Sequence, residues 1–230
     1  MKKIFLFVFC VFFTNALFSK DVGLGFTGTL GFPQNDFKKN VNRLGYGLDF
    51  YVGFAPERVP ILIGVDLGFL NYGSSTRQEP FSTTIPDVTV DVKTSNDIFL
   101  FHPLLRIQPN IGIIRPYIEG LIGLKYLTTT TEIQNQGKGG EEVASSTNKS
   151  DNAFSYGGGA GLMIRIVDKK EEDKNPNEIM LEFGARYLFG NEAEYLKEGS
   201  IRRVNGAVVY DVQKSTTDLL NVYIGLQIRF

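Results

Sequence analysis

No apolar run long enough to cross a bilayer as a helix follows residue 13 of this chain, so membrane-spanning helices are excluded over the rest of its length. Tryptophan is absent, and cysteine and histidine occur once each, as Cys10 and His102. A single thiol cannot close an intrachain disulfide, and a lone imidazole without a second His or Cys leaves no ligand set of the zinc-binding type. Neither sign of charge dominates: 24 Lys and Arg stand against 25 Asp and Glu, a net charge of -1. That removes the electrostatic case for a nucleic-acid partner or an acidic substrate.

What is present begins with an export signal. Met1-Lys-Lys precedes an unbroken apolar run from Ile4 to Phe13, and Thr14-Asn-Ala-Leu-Phe-Ser-Lys20 follows. This is the order of a charged region, an apolar core and a small-residue cleavage zone, so residues 1–19 read as a cleaved signal peptide and 20–230 as the mature domain. Cys10 lies in mid-run behind Phe9, not after small residues, which argues against a lipoprotein anchor. About 210 mature residues suffice for one domain. The mean hydropathy of -0.05 resembles that of a soluble protein. It also fits a barrel in which alternate residues face a polar interior.

The dominant pattern is alternation. In Leu219-Leu-Asn-Val-Tyr-Ile-Gly-Leu-Gln-Ile-Arg-Phe230 every second residue from Leu220 to Phe230 is apolar. The same period predicts strands over 21–32, 44–55, 61–73, 95–109, 116–128, 153–167, 179–190 and 217–230. Short connections at 56–60 and 110–115 and an intermediate one at 168–178 alternate with longer polar ones near 33–43, 74–94, 129–152 and 191–216. An even strand count with short turns on one side and long loops on the other is the pattern of an outer-membrane barrel, turns periplasmic and loops extracellular. The expected fold is all-β: an eight-stranded antiparallel up-and-down transmembrane β-barrel.

A soluble lipocalin-like barrel has the same strand count but turns its apolar face inward. Side-chain volume decides against it. One face carries Phe, Tyr, Leu and Ile on every strand, more than an eight-stranded interior can hold, whereas the other carries Gly23, Gly25, Gly45, Gly47, Gly157, Gly159 and Gly161. Phe32, Tyr46, Phe69, Phe99, Tyr126, Phe154 and Phe189 also gather next to the long loops, as an interfacial girdle would.

The terminal Tyr223-x-x-Leu226-x-Ile228-x-Phe230 and the glycine-rich alternating strands resemble the small eight-stranded outer-membrane proteins of the OmpA/OmpX-like superfamily, described as the outer membrane protein beta-barrel domain. Phe183-Gly-Ala-Arg-Tyr-Leu-Phe-Gly190 resembles the family less specifically. The resemblance implies that Tyr223, Leu226, Ile228 and Phe230 are the signal read by the barrel-assembly machinery. With nothing after Phe230, no peptidoglycan-binding domain is expected. The superfamily includes structural proteins, adhesins, narrow channels and lipid-modifying enzymes, so membership leaves the function open.

On the inward face the register places Asp49, Asp66, Glu119 and Glu182 against Arg106, Lys125, Arg165, Arg186 and Arg229. Mutual pairing is expected, because an unpaired charge in a closed lumen is costly. The predicted pairs are Arg106 with Glu119, Arg165 with Glu182, and Arg186 bridging Asp49 and Asp66. His102 faces the lumen with no serine at its level on an adjacent strand, so it reads as a hydrogen-bonded core residue and not as a catalytic base. Gly157-Gly-Gly-Ala-Gly161 lacks the Lys-Ser/Thr and helix of a phosphate loop and reads as strand glycines. The polar stretch from Thr128 to Asn152 reads as a flexible loop, with Asn148-Lys-Ser150 a glycosylation triplet by pattern only. Arg202-Arg-Val-Asn-Gly-Ala-Val-Val-Tyr210 has the Asn-Gly of a β-hairpin.

The leading expectation is a monomeric integral protein of a Gram-negative outer membrane with a plugged polar lumen. It has no catalytic, metal or cofactor site and plays a structural or surface-binding role through its extracellular loops. Outer-membrane lipids, lipopolysaccharide and the assembly machinery are the expected partners, with a surface ligand at the loops. The alternative is a narrow channel or port for small apolar molecules, and a third reading is a lipid A-modifying enzyme.

Overall fold

The computed structural model describes residues 22–56, 59–80, 89–135, 142–168, 178–204 and 207–230. The signal-peptide reading of 1–19, Cys10 included, lies outside the described residues, as do the Asn205-Gly206 turn and most of the 168–178 connection.

Eight strands form the barrel: β1 (Val22–Pro33), β2 (Gly45–Phe54), β3 (Ile61–Pro80), β4 (Thr89–Ile107), β5 (Ile114–Asn135), β6 (Glu142–Asp168), β7 (Glu178–Gly190) and the terminal β12 (Leu219–Arg229). Each pairs antiparallel with its neighbour in the chain, and β12 closes the ring on β1 from Gly23 opposite Arg229 to Pro33 opposite Leu219. Closure leaves no unpaired edge, which is what strands need in order to cross a membrane.

The faces follow the alternation. Phe26, Leu48, Ile63, Phe101, Ile118, Leu162, Phe183 and Ile224 are exposed on the outside, while Asp49, Asp66, Arg106, Glu119, Glu182 and Arg186 are buried inside. Val22, on the apolar face, is buried at the strand start, where it pairs with Phe54 and accepts the Phe230 N–H. A continuous exterior of exposed Phe, Leu and Ile would be untenable in water and is suited to hydrocarbon. The aromatic girdle is present at the long-loop end: Phe69, Phe99 and Tyr126 stand opposite one another on β3, β4 and β5, with ring centroids 5.2 and 6.3 Å apart. Tyr156 stacks on Phe189 at 5.3 Å on β6 and β7. No helix among the described residues is long and apolar enough to cross a membrane. The described residues form a barrel of the outer-membrane kind, which crosses with strands.

Above the girdle the structure departs from expectation. The segments read as loops over 74–94 and 129–152 are largely strand: β3 and β4 stay paired to Pro80 opposite Thr89, and β5 and β6 to Gln134 opposite Glu142. These extensions form a four-stranded palisade standing outside the membrane. Outside the bilayer a strand needs no apolar face, so its polar Thr, Ser and Asn run carries little alternation to read. The expected flexible loop from Thr128 to Asn152 is therefore corrected for 129–135 and 142–152.

The two remaining long connections also carry structure. After β1 comes a short helix, α1 (Asn35–Asn40). Between β7 and β12, β8 (Glu192–Tyr195) pairs with β11 (Gln213–Thr216), and β9 (Ile201–Val204) pairs with β10 (Ala207–Tyr210) as the Asn-Gly signal predicts.

Candidate functional site in the lumen and above the membrane

Glu119 on β5 is the hub of the lumen. Its Oε2 accepts from Arg106 Nε at 3.0 Å and Nη2 at 2.8 Å, and its Oε1 accepts from Arg186 Nε and from the Tyr223 hydroxyl at 2.8 Å. Arg106 also pairs with Glu182 at 2.8 Å and donates to the Tyr51 hydroxyl at 2.7 Å, and Tyr51 donates to Glu182 at 2.7 Å. Arg186 Nη1 lies 2.8 Å from Asp66 and 4.0 Å from Asp49, and Thr29 donates to Asp49. Tyr223 donates its one proton to Glu119, so the Tyr117 hydroxyl, 2.8 Å away, donates to Tyr223. The guanidinium of Arg106 also stacks on the Tyr51 and Tyr117 rings at 4.4 and 4.3 Å, and that of Arg186 on Tyr223 at 4.5 Å. Charge-assisted hydrogen bonds and cation–π contact together hold a layer of side chains across the barrel.

The lumen glycines make room for these tyrosines. A Cβ at Gly25 would run into the Tyr51 ring, and one at Gly184 into the hydroxyl ends of Tyr117 and Tyr223. Gly157–Gly161 lies within β6 on the barrel wall, and the chain continues as strand to Asp168.

The nine charged residues expected as one network occupy three places. Asp49, Asp66, Arg106, Glu119, Glu182 and Arg186 form the central layer, with the Arg106–Glu119 and Arg186–Asp66 pairs as predicted. The predicted Arg165–Glu182 pair is not formed. Arg165 sits at the periplasmic mouth against Asp168 at 2.7 Å and Glu178 at 3.5 Å, because Met163 stands opposite Glu182 and Arg165 opposite Met180, one inward position nearer the periplasm. Arg229 is at the same mouth, bonded to Asn110 and the Ala55 carbonyl, and Arg115 makes a bidentate pair with Glu178 at 2.8 and 2.6 Å. Lys125 points toward the extracellular neck and donates to the Leu188 and Thr217 carbonyls at 3.0 and 2.6 Å.

The sequence reading missed Tyr51, Tyr117, Arg115 and Glu178, and it placed Tyr223 only in the assembly signal. All three tyrosines fall at inward positions of their strands, and that parity was the available signal. Of the carboxy-terminal set, Tyr223 is inward and buried, Leu226 is exposed outside, and Ile228 and Phe230 are half-buried.

His102 is fully buried and faces Asp66 across the β3–β4 register, but neither ring nitrogen has a hydrogen-bond partner among the described residues. The expected hydrogen-bonded histidine is thus corrected: Asp66 accepts from Arg186, and Gly123 on the other side offers no side chain. Ser155 lies opposite Gly123, two strands from His102, yet its hydroxyl bonds to neither His102 nor another side chain. No hydrogen-bonded Ser-His-acid arrangement exists here.

Above the charged layer the lumen turns apolar. Leu70, Ile98, Leu100, Leu127, Leu188 and Leu219 form a buried neck, and Phe37 of α1 sits over it with no exposed surface, edge-on to Tyr72 and Tyr195 at 5.8 and 5.2 Å. Asp218 fastens this cap by accepting from Asn35 at 2.7 Å and from the Gly190 N–H at 2.9 Å. Beside the cap lies a half-open cavity of about 430 Å³ lined by Asn40, Val41, Asn42, Arg43, Tyr72, Lys197, Glu198 and Gly199.

The palisade has its own contacts. Thr129 donates to Asn96 at 2.7 Å and Asn71 to Asp97 at 2.7 Å, while Asp151 accepts the Glu194 N–H at 2.8 Å and so docks β8 on β6. Asn148 donates to the Tyr210 hydroxyl at 3.3 Å beside the β9–β10 hairpin, where Val208, Val209, Tyr210 and Val212 are exposed.

No family description and no curated protein matches the chain. Among solved structures it is similar to Neisserial surface protein A, at 12% identity over 92% of this chain and 98% of that one, with a TM-score of 0.44. It is also similar to Ail, the attachment invasion locus protein of Yersinia pestis, at 15% identity over 91% and 97%, TM-score 0.34. A third is a major outer membrane protein of Thermus thermophilus, at 9% identity over 90% and 99%, TM-score 0.36.

Proposed function

We propose that this protein is a non-conducting, non-catalytic outer-membrane barrel that holds a binding surface outside the cell. The observation that carries the reading is the β3–β6 palisade: four strands continue beyond the membrane, docked to β8 and to the β9–β10 hairpin by specific hydrogen bonds. The charged layer and the Phe37 cap fill the lumen in series, which leaves the outside of the cell as the place for interaction. Exposed Val208, Val209, Tyr210 and Val212 suit a protein surface better than a polyanion, because apolar and aromatic side chains supply the core of such interfaces. Lipid and lipopolysaccharide surround the girdle, and the assembly machinery reads the end of β12.

Purified barrel in planar bilayers should give no single-channel steps. Cells displaying it should adhere to protein-coated rather than polysaccharide-coated surfaces. Adhesion should fall in the Val208→Ser/Tyr210→Ser variant while the barrel still inserts. Regular conductance steps in the wild type would favour the channel reading. A change in lipid A between deletion and parent strains would favour the enzyme. The lining of the extracellular cavity, with Arg43, Lys197 and Glu198, does not favour a port for apolar molecules.

A further inference from the structure

Six charged side chains meet in the middle of the lumen, and their charges do not cancel. Asp49, Asp66, Glu119 and Glu182 bring four carboxylates, and Arg106 and Arg186 bring two guanidiniums, all buried. Lys125 does not make up the difference, because its ammonium lies near the neck, held there by the Leu188 and Thr217 carbonyls with Asp218 as the nearby acid. His102 faces Asp66 but makes no bond or ion pair with it. From the other elements, β1 presents only Thr27 and Thr29, β6 presents glycines at this level, and Tyr51, Tyr117 and Tyr223 are phenols engaged in the hydrogen bonds described above.

Buried carboxylates without counter-charge neutralise by taking up a proton. Which oxygen takes it is set by which are free. Glu119 accepts four donors on its two oxygens, and Glu182 is held by Arg106 and Tyr51. Asp49 Oδ1, Asp66 Oδ2 and Glu182 Oε1 have no hydrogen-bond partner among the described residues, but Glu182 Oε1 lies 2.8 Å from the Arg106 guanidinium, whereas one atom, Arg186 Nη1, serves both aspartates. The fully buried and unpartnered His102 imidazole faces Asp66 as the next group able to take that proton.

We propose that Asp49 and Asp66 form a proton-binding site in the lumen, one proton being held between the pair. The site does not depend on whether the lumen conducts. Its proton is part of what keeps the central layer together.

Difference infrared spectroscopy of the folded barrel between neutral and strongly alkaline pH tests this directly. A protonated-carboxyl stretch should be present at neutral pH in the wild type, disappear at alkaline pH, be missing from Asp49→Asn and shift in Asp66→Asn. In parallel, the wild-type urea midpoint should fall from neutral to alkaline pH, whereas that of Asp49→Asn, which keeps the shape without the titrating group, should fall less. Absence of the stretch from the wild type at neutral pH overturns the proposal whatever the variants do. So does a stretch unchanged in Asp49→Asn.

Discussion

The two halves of this barrel are alike inside the membrane and unlike above it. Strands β3 to β6 run for 20, 19, 22 and 27 residues, whereas β7, β12, β1 and β2 run for 13, 11, 12 and 10. Within the bilayer both halves set large apolar residues outward and glycine or polar residues inward, because lipid and a narrow lumen impose the same demand on every strand. Beyond the girdle that demand ends. The long half goes on pairing, since a neighbouring strand satisfies its backbone, while the connections of the short half turn inward and cap the mouth with α1 and β8. The charged layer ties the halves together: Arg186 reaches from β7 to Asp66 on β3, and Arg106 from β4 to Glu182 on β7.

Cutting that tie should have the largest effect. Arg186→Ala leaves Asp66 and Glu119 short of their shared cation and should lower the unfolding free energy by about 3–5 kcal/mol, as broken buried pairs do. Urea unfolding in detergent, followed by circular dichroism, checks it. An unchanged midpoint would mean that the halves do not depend on the central layer.

Phe37→Ala tests the short half alone. Losing a fully packed ring costs roughly 3–5 kcal/mol at its site. Here the cost should appear as local opening: faster hydrogen exchange over 35–41 and around Tyr195, with the global midpoint little changed. Global destabilisation would show that the cap and the barrel unfold as one unit.

The long half is tested by Thr129→Val, which removes the bond to Asn96 and should loosen the palisade by about 1 kcal/mol. Exchange should rise at 94–97 and 128–131 and stay constant near Gly159.

The smallest effect should come from Asp151, where the two halves touch outside the membrane. The Glu194 N–H, with that of Asn152 and the Lys149 ammonium, holds its carboxyl below the ordinary value. Its contribution is therefore present above an ordinary aspartate value of about 3.9 and is lost as pH falls through the lowered folded value. Acidification, after correction for the slower intrinsic exchange at low pH, or Asp151→Asn at neutral pH, should lower the protection of the Glu194 amide without unfolding the barrel. The group is only half-buried at the surface, so salt should weaken the effect.

Within the membrane the fold was legible because each strand reports its two environments in turn. Phe99 and Phe101 announce lipid and His102 and Arg106 the lumen, with no knowledge of neighbours. The β9–β10 hairpin was legible from Asn205-Gly206, a local turn signal. The palisade was not, because Thr128-Thr-Thr-Thr-Glu-Ile-Gln-Asn135 has Ile133 as its one apolar residue and so no period to read, and the short Val90–Val92 alternation on β4 finds its meaning only in the ladder it joins.

By itself, the sequence determined the barrel: strand number, which face meets lipid, where the girdle lies and which charges enter the lumen all follow from a period of two, a local property of the backbone. The tertiary structure alone decided the partners. Whether Glu182 meets Arg165 or Arg106 depends on the β6–β7 register, which sets Met163 opposite Glu182, and on reach across the ring. Glu119 becomes the hub only because β5 sets it within reach of β4, β7 and β12 together. Such contacts join residues far apart in the chain, and distance across a closed ring is set by shear and strand tilt, which no single strand encodes.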